Sequence, residues 1–580
     1  MKYPTLYTTD SSRQMVDIFK GYNHNLRIND GEFFDMKNMT SDHYPVLSPR
    51  GRRGVYAQQG RFTGLIAKDS LCYVDGAEFV MNEYRVDLGL NDEPKQLISM
   101  GAYVIIMPDK KWINTLDLTE HGAIEASFES TADVAFTLCT VDGADYTDVV
   151  VSATEPAEPE NLALWIDSSS TPHILKQYSA TSAIWVQVPT TYIKISSPGI
   201  GTAFEVYDGV NISGIKSEAL QDLNASMVIW AKGDDYIVVI GILDSVITQT
   251  LEDGAITVER KMPNMDFITE SENRLWGCRY GVATNGEVVN EIYASKLGDF
   301  KNWNCFMGLT TDSYAASCGT DGQFTGAITH LGYPLFFKEN CVHKVYGNYP
   351  ANFQIQTTAC RGVQRGCEKS LAIVNETLFY KARSGVCAYD GSLPVEMSAA
   401  LGDMHYGRAV AGSHGNKYYI SMQEAVSPEY HVFVYDTAKG MWHKEDKLHA
   451  ECFCSCDSEL YAIAGGKIIT MLGSGTQEEI FVEWMAQTGE IGITTPDMKY
   501  ISRLTVRMTL DIGSVVRFYA QYDFMGDWEE VCVLEGTSLR SFSIPIRPRR
   551  CDYMKLRIEG VGNAKIYSIT KTIEQGSELS

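Results

Sequence analysis

The hydrophobic and polar residues of this chain alternate with a period of two in many short runs, separated by turns rich in Gly, Asp and Asn. Such alternation is typical of strands that bury one face. One unit recurs: a short alternating strand, a turn, and an aromatic-rich strand. It appears at residues 65–74, 97–106, 267–276, 328–337, 371–380, 409–420 and 452–463. From 328 the last four units start 43, 38 and 43 residues apart. A period near 40 with several strands per unit predicts an all-β fold, a β-propeller of six or seven blades.

The period is interrupted once and ends before the C-terminus. Residues 121–255 carry strands of their own and a Pro- and Glu-rich stretch, TEPAEPENL, so they are predicted to form a β domain inserted in the propeller. After about residue 480 longer alternating runs predict a C-terminal β-sandwich. The predicted domains are 1–120 and 256–480 for the propeller, 121–255 for the insertion and 481–580 for the sandwich.

Charge and composition narrow the class of protein. The formal net charge is −24 with a pI near 4.9, which argues against a protein that grips nucleic acid, because phosphate contacts need clustered Lys and Arg. The first residues lack the pattern of a signal peptide, and no apolar run is long enough to span a bilayer. The 14 Cys are therefore expected to be reduced thiols made in a cytoplasm.

The sequence predicts no catalytic residue, no cofactor and no metal site. Residues 362–370 resemble a phosphate loop, but Glu368 stands where the loop requires Gly. Cys452, Cys454 and Cys456 share one face of a strand, and small buried hydrophobes are the favoured interpretation over metal ligands. His443, Glu445 and Asp446 are expected in a solvated loop. No pair of carboxylates stands out, so the chain is expected not to be an enzyme.

Two arginine clusters are the candidate interface residues: Arg50, Arg52 and Arg53, and Arg547, Arg549 and Arg550. Arginine pairs well with carboxylates, and in so acidic a chain these clusters could dock acidic patches on neighbouring subunits. The alternative is that each cluster closes internal ion pairs.

The opening segment carries a family resemblance. Residues 21–54 resemble the start of phage tail hub or nozzle proteins, also called packaged-DNA stabilisation proteins. The matching positions are Asn29, Gly31, Glu32, Met36, Asn38, Tyr44, Pro45, Leu47, Pro49, Arg50 and Gly51. Residues 293–304 and 335–347 look like blades of such hubs.

That resemblance implies a structural virion protein, assembled in the host cytoplasm. It implies a homo-oligomeric ring, commonly of six subunits, that contacts the portal or connector, adaptors and other tail proteins. Packaged DNA would be retained and later ejected through the ring without specific binding. The main alternative is a receptor- or carbohydrate-binding tail protein, with Trp112, Trp303 or Trp528 on an exposed sugar platform. A propeller glycosidase is the third.

Overall fold

The computed structural model describes residues 11–243, 247–249, 255–283, 286–477, 479–494, 498–523 and 526–575. Strands account for 53% of it and helices for 3%, so the chain is all-β, as the alternation predicted. Five short 3₁₀ helices are described: Ile200–Ala203, Glu218–Leu223, Pro350–Asn352, Glu368–Ser370 and Ala399–Leu401. Among the described residues no helix has the length and apolar character to cross a bilayer.

Among the described residues, six four-stranded meanders and one five-stranded sheet are the blades of a β-propeller. Each predicted unit supplies the first two strands of one blade. Six blades are continuous in the chain. Their strands are, for blade 1, Phe62–Ala67, Leu71–Asp75, Glu78–Met81 and Tyr84–Asp87; for blade 2, Gln96–Met100, Tyr103–Met107, Lys111–Asn114 and His121–Ala123; for blade 3, Phe267–Ser271, Arg274–Val282, Val288–Ala294 and Tyr314–Ser317; for blade 4, Gly326–His330, Tyr333–Lys338, Cys341–Tyr346 and Gln354–Ala359; for blade 5, Ala372–Val374, Thr377–Lys381, Val386–Tyr389 and Val395–Glu396; and for blade 6, Tyr406–His414, Lys417–Glu424, Tyr430–Asp436 and Met441–Lys444.

Blade 7 is built from two distant parts of the chain. Its first three strands are Cys452–Cys456, Glu459–Ala464 and Lys467–Thr470. The fourth is Gly54–Gln58, which pairs antiparallel with the third, Ile468 opposite Ala57. The short strand Thr476–Gln477 pairs with the other edge of Gly54–Gln58. An open sheet edge can pair with a strand of another chain. The pairing of Gly54–Gln58 with Lys467–Thr470 covers such an edge of blade 7.

The chain divides into two compact units. The first comprises Met1–Lys95, Phe336–Val342 and Thr357–Ser580, and the second Gln96–Leu335 and His343–Gln356. In the first unit, blades 6 and 7 pack through a cluster that includes Tyr419, Val432 and Leu460. In the second, Ile105, Ile268 and Leu275 belong to one core shared by blades 2 and 3.

The described part of the insertion in the second unit contains three sheets. The first comprises Ala126–Glu129, Thr257–Arg260, Gly209–Ser213 and Ser226–Val228; the second Ala231–Gly233, Tyr236–Ile240, Tyr192–Ser196, Val134–Cys139 and Ile247–Gln249; the third Val150–Ser152, Leu164–Asp167, Ile174–Ser179 and Ile184–Gln187. One buried cluster joins the first two sheets, with Val210 and Val258 from one and Phe136 and Ile237 from the other. The two sheets therefore form a sandwich.

The C-terminal part of the first unit is a nine-stranded sheet that includes strands from the N-terminal region. Its order is Ser11–Val16, Ala564–Gln575, Lys499–Tyr522, Met554–Val561, Glu483–Thr488, Glu32–Lys37 and Gly21–Tyr22, and Glu529–Ile544 and Arg550–Cys551 also pair with Lys499–Tyr522. The long strand Lys499–Tyr522 changes partner near residue 512, from Ala564–Gln575 to Met554–Val561. The first 37 residues were assigned to the propeller from sequence, whereas in the structure the strands from Ser11 to Lys37 belong to this sheet.

Candidate functional site

The segment that carries the family resemblance connects the C-terminal sheet to blade 7. After Glu32–Lys37 the backbone turns at Asn38, which has φ 56°, a left-handed conformation that Asn tolerates better than most residues. The Asn38 amide group donates to the carbonyl of Glu483 at 2.7 Å and accepts from Arg50 Nε at 2.9 Å. A two-stranded ribbon, Met39–Thr40 with Ser48–Pro49, then leads to Gly54–Gln58.

Two buried arginines pair with three acids at this junction. Both oxygens of Glu479 accept from Arg50, at 2.7 and 2.8 Å. Arg53 pairs with Glu445 at 2.5 Å and with Asp446 at 2.6 Å. Both guanidinium side chains are only 5% exposed. We call Arg50, Arg53, Glu445, Asp446 and Glu479 the junction network.

Electrostatics favours the charged forms of Arg53 and Glu479 in the junction network. Burial alone would lower the pKa of Arg53, but the carboxylates of Asp446 and Glu445 outweigh it, so this pKa is raised. Burial likewise opposes ionisation of Glu479, and the hydrogen bonds from Arg50 and Arg53 prevail, so the pKa of Glu479 is lowered. The ion pairs of the junction network hold three distant segments of the chain together.

The six candidate interface arginines have different surroundings. Arg50 and Arg53 close internal ion pairs, which is the alternative that the sequence left open, and their guanidinium groups do not face solvent. Arg52, Arg547, Arg549 and Arg550 are exposed. Arg549 forms a two-pronged pair with Glu529, at 2.7 and 2.8 Å. An interface role for the exposed arginines stays a prediction.

The expectation of a solvated loop at residues 443–446 is wrong. His443 is a residue of the strand Met441–Lys444 and is only 4% exposed, and Glu445 is buried beside Arg53. Burial lowers the pKa of His443 to about 4, so the imidazole is neutral. The sequence missed Glu479 for a related reason: its partner Arg50 lies 429 residues away, with no local signal.

The three cysteines of Cys452–Cys456 contribute to a hydrophobic cluster between blades 7 and 1, together with Leu65 and Leu71. Burial raises the pKa values of all three thiols, and a metal ligand would have to be a thiolate. Within the described ranges no group of three or more His, Cys, Asp and Glu could hold a metal ion. Their surroundings are those of small buried hydrophobes.

Cys72, in blade 1 beside this cluster, gives a direct test of that burial. Burial raises its pKa from 9.0 to about 12. We expect iodoacetamide at about pH 8 to alkylate Cys72 roughly a thousandfold more slowly in the native protein than in the urea-unfolded chain, because the thiolate is that much rarer. Pulsed alkylation with peptide mass spectrometry measures both rates, and equal rates would contradict a buried thiol.

Two further patterns from the sequence have structural explanations. In the loop-like stretch 362–370, Lys369 donates to the carbonyl of Glu451 at 3.1 Å.

Of the three tryptophans considered as a sugar platform, Trp112 and Trp303 are buried in the core of blades 2 and 3. Trp528 is half-buried, with the guanidinium of Arg557 4.2 Å from its ring centre. These three residues do not form one exposed aromatic face, because two of them are core residues.

No protein-family model and no curated protein matches the chain. Among solved structures, it is similar to the exo-β-1,3-galactanase of Phanerochaete chrysosporium with galactose, at 8% identity and a TM-score of 0.21, over 52% of this chain and 94% of that one. It is also similar to the phage phi92 endosialidase, at 10% identity and a TM-score of 0.25, over 76% of this chain and 69% of that one.

These matches correct one expectation from the sequence. The chain was expected not to be an enzyme, whereas the galactanase, a further glycoside hydrolase and the endosialidase are all enzymes. We therefore withdraw that expectation. With TM-scores of 0.25 and below, the likeness assigns no reaction to this chain.

Proposed function

We propose that the chain is a structural protein of a phage tail that assembles with further copies of itself into a ring around the DNA channel. Contacts with the portal, connector or adaptor and with other tail proteins belong to this proposal. The observation that carries it is that the residues of the family resemblance build the junction between the C-terminal sheet and the propeller, where they stabilise the chain.

The first part of the resemblance forms a tight local turn. Gly31 has φ +91°, and a Cβ there would lie 2.5 Å from the carbonyl oxygen of Ile18, so the position favours glycine. One oxygen of Glu32 accepts from the Asn29 backbone at 2.7 Å and from the Asn23 side chain at 3.0 Å. These contacts fix the N-terminal segment on the sheet.

The second part of the resemblance supplies the junction itself. Met36 is buried at 1% exposure, Asn38 makes the left-handed turn, and Arg50 occupies the junction network. A motif in which these residues stabilise the fold is what a scaffold requires, because neighbours in an assembly must be held at fixed angles.

The distribution of charge supports passage of DNA without binding. Residues 124–260 contain 20 Asp and Glu against four Lys and one Arg, so the insertion carries −15 of the net −24. Three of those lysines, Lys176, Lys194 and Lys232, pair with acids of the insertion itself. So acidic a domain repels phosphate at close range.

The proposal is tested by the mass of the purified protein, alone and mixed with connector proteins, by light scattering followed by electron microscopy. We expect a closed ring, formed alone or nucleated by the connector. A monomer or trimer that ignores the connector would contradict the proposal.

Charge reversal tests whether the exposed C-terminal arginines take part in assembly. The variant Arg547→Glu with Arg549→Glu and Arg550→Glu is expected to lose ring formation, because like charges then face any acidic patch on the neighbour. Arg61→Glu is the matched control, since Arg61 is also exposed and paired with an acid, Asp92, at 3.2 Å. Rings that form equally well in both variants would remove these arginines from the interface.

A further inference from the structure

A polar cavity opens in the first unit beside blades 5 and 6. Its volume is about 210 Å³, and its lining comes from the turn at Arg383–Gly385, the loop from Glu396 to Tyr406, and Asn25. A single ordered water needs only about 10–15 Å³ by the same measure, so the cavity has room for a molecule of many atoms. Asn25 is fixed at the rim by a 2.9 Å hydrogen bond to the carbonyl of Ala399.

The wall of this cavity contains a buried cation, Lys381, at the end of the strand Thr377–Lys381. The side chain is 3% exposed. Its ammonium donates to the side-chain oxygen of Gln364 at 2.8 Å and to the carbonyl of Ala382 at 2.5 Å, and both acceptors are neutral. Burial lowers the pKa of Lys381. A buried ammonium held only by neutral oxygens is costly, and an anion in the cavity would offset that cost.

Lys499 offers a contrast within the same unit. It is also fully buried, but the carboxylate of Asp552 lies 3.4 Å from its ammonium. Lys499 thus obtains an anionic partner from the chain, whereas both hydrogen bonds of the Lys381 ammonium go to neutral oxygens.

The other charges around the cavity favour a single negative charge. Arg383 adds a second cation at the mouth, while Glu396 and Asp403 are the lining acids. Glu396 is already paired with Arg361 at 2.8 Å. With the Arg361–Glu396 pair counted as neutral, Lys381 and Arg383 remain against Asp403, so the lining lacks one negative charge and suits a monoanion better than a dianion.

The same acids, with Ser398 and Asn25, are suited to hydroxyl groups. Carboxylate oxygens accept hydrogen bonds from hydroxyls, and the Ser398 hydroxyl and the Asn25 amide both donate and accept. We infer that this cavity binds a polyhydroxylated monocarboxylate of the size of a uronic acid, with its carboxylate on Lys381 and Arg383 and its hydroxyls on Glu396 and Asp403. The inference does not depend on ring assembly.

The test measures binding of D-glucuronate to the full chain by calorimetry and saturation-transfer NMR, with D-glucose and inorganic phosphate as matched probes. We expect binding of glucuronate and none of glucose, which lacks the carboxylate, or of phosphate, which is largely dianionic. Failure of the wild-type protein to bind glucuronate, equal binding of glucose, or preference for phosphate would each overturn the inference.

Substitutions of lining residues test whether glucuronate binds in this cavity. Lys381→Met is expected to weaken glucuronate binding at least about tenfold, since it removes a charge-assisted hydrogen bond in a buried site. Arg383→Ala, at an exposed position, is expected to weaken it as well and to leave the fold intact. Lys499→Met is the control for loss of a buried lysine and is expected to leave binding unchanged. Unchanged binding in both Lys381→Met and Arg383→Ala would overturn the inference.

Discussion

Replacing Arg53 with methionine is expected to lower the free energy of unfolding by about 3–5 kcal/mol, because one partner of a buried ion pair is removed. Glu445 would remain buried at 6% exposure and lose its 2.5 Å partner, and Asp446 would lose its 2.6 Å partner. The remaining cation, Arg50, lies 4.0 Å from Glu445 and is already occupied by Glu479. Urea titration followed by tryptophan fluorescence measures the change.

The matched control is Arg549→Met. Its pair with Glu529 has similar distances, but the two side chains are 47% and 51% exposed. An exposed pair contributes at most about 1 kcal/mol, so this variant should unfold near the wild-type midpoint. The double variant Arg53→Met with Glu445→Met should recover part of the loss, because the stranded carboxylate is removed too. Equal losses of unfolding free energy in Arg53→Met and Arg549→Met would show that burial of the junction network adds nothing to stability.

Acidification is expected to cost about 3 kcal/mol of stability between pH 6.5 and pH 4 through His443 alone, at about 1.4 kcal/mol per pKa unit. Burial is the main reason why the pKa of His443 falls from 6.5 to about 4, and Lys417 adds to it. The folded pKa is the lower one, so the unfolded chain takes up the proton first. The contribution of neutral His443 is therefore complete above pH 6.5 and is lost as the pH falls to about 4.

Comparison with His443→Gln isolates this effect from that of the carboxyl groups. The urea midpoint of the variant is expected to fall less steeply than that of the wild-type protein across this pH range, because glutamine does not titrate. Above pH 6.5 the difference between the two proteins should be constant. Parallel curves between pH 6.5 and pH 4 would mean that His443 titrates normally in the folded state.

The blades were predictable because the first two strands of each one form a local sequence pattern. Seven alternating units, the last four of them near a period of 40, mark the first two strands of each blade, since a blade buries both faces only beside its neighbours. The sequence did not decide between six and seven blades, because the strand that completes blade 7, Gly54–Gln58, lies about 400 residues from its partner. Pairing over such a distance leaves no pattern in either segment.

The junction was only partly predictable, for the same reason. The arginine clusters were visible, and both their uses were open, but the choice depends on acids that are neighbours only in the folded chain. Glu445 and Asp446 looked like a solvated loop because charged residues are seldom buried without partners, and the partners Arg50 and Arg53 are remote in sequence. Lys381 gave no signal at all, because its environment is set by the cavity and not by its sequence neighbours.

The shared construction of blade 7 sets a time order for synthesis. Gly54–Gln58 leaves the ribosome roughly 400 residues before Lys467–Thr470, which at about 5–20 residues per second is an interval of about 20–80 s. Throughout that interval the strand has no ladder partner, and an uncovered strand is open to association with other chains. Nascent chains on neighbouring ribosomes are thus most exposed to one another before Thr470 is made, and a chaperone that binds extended segments would act in that window.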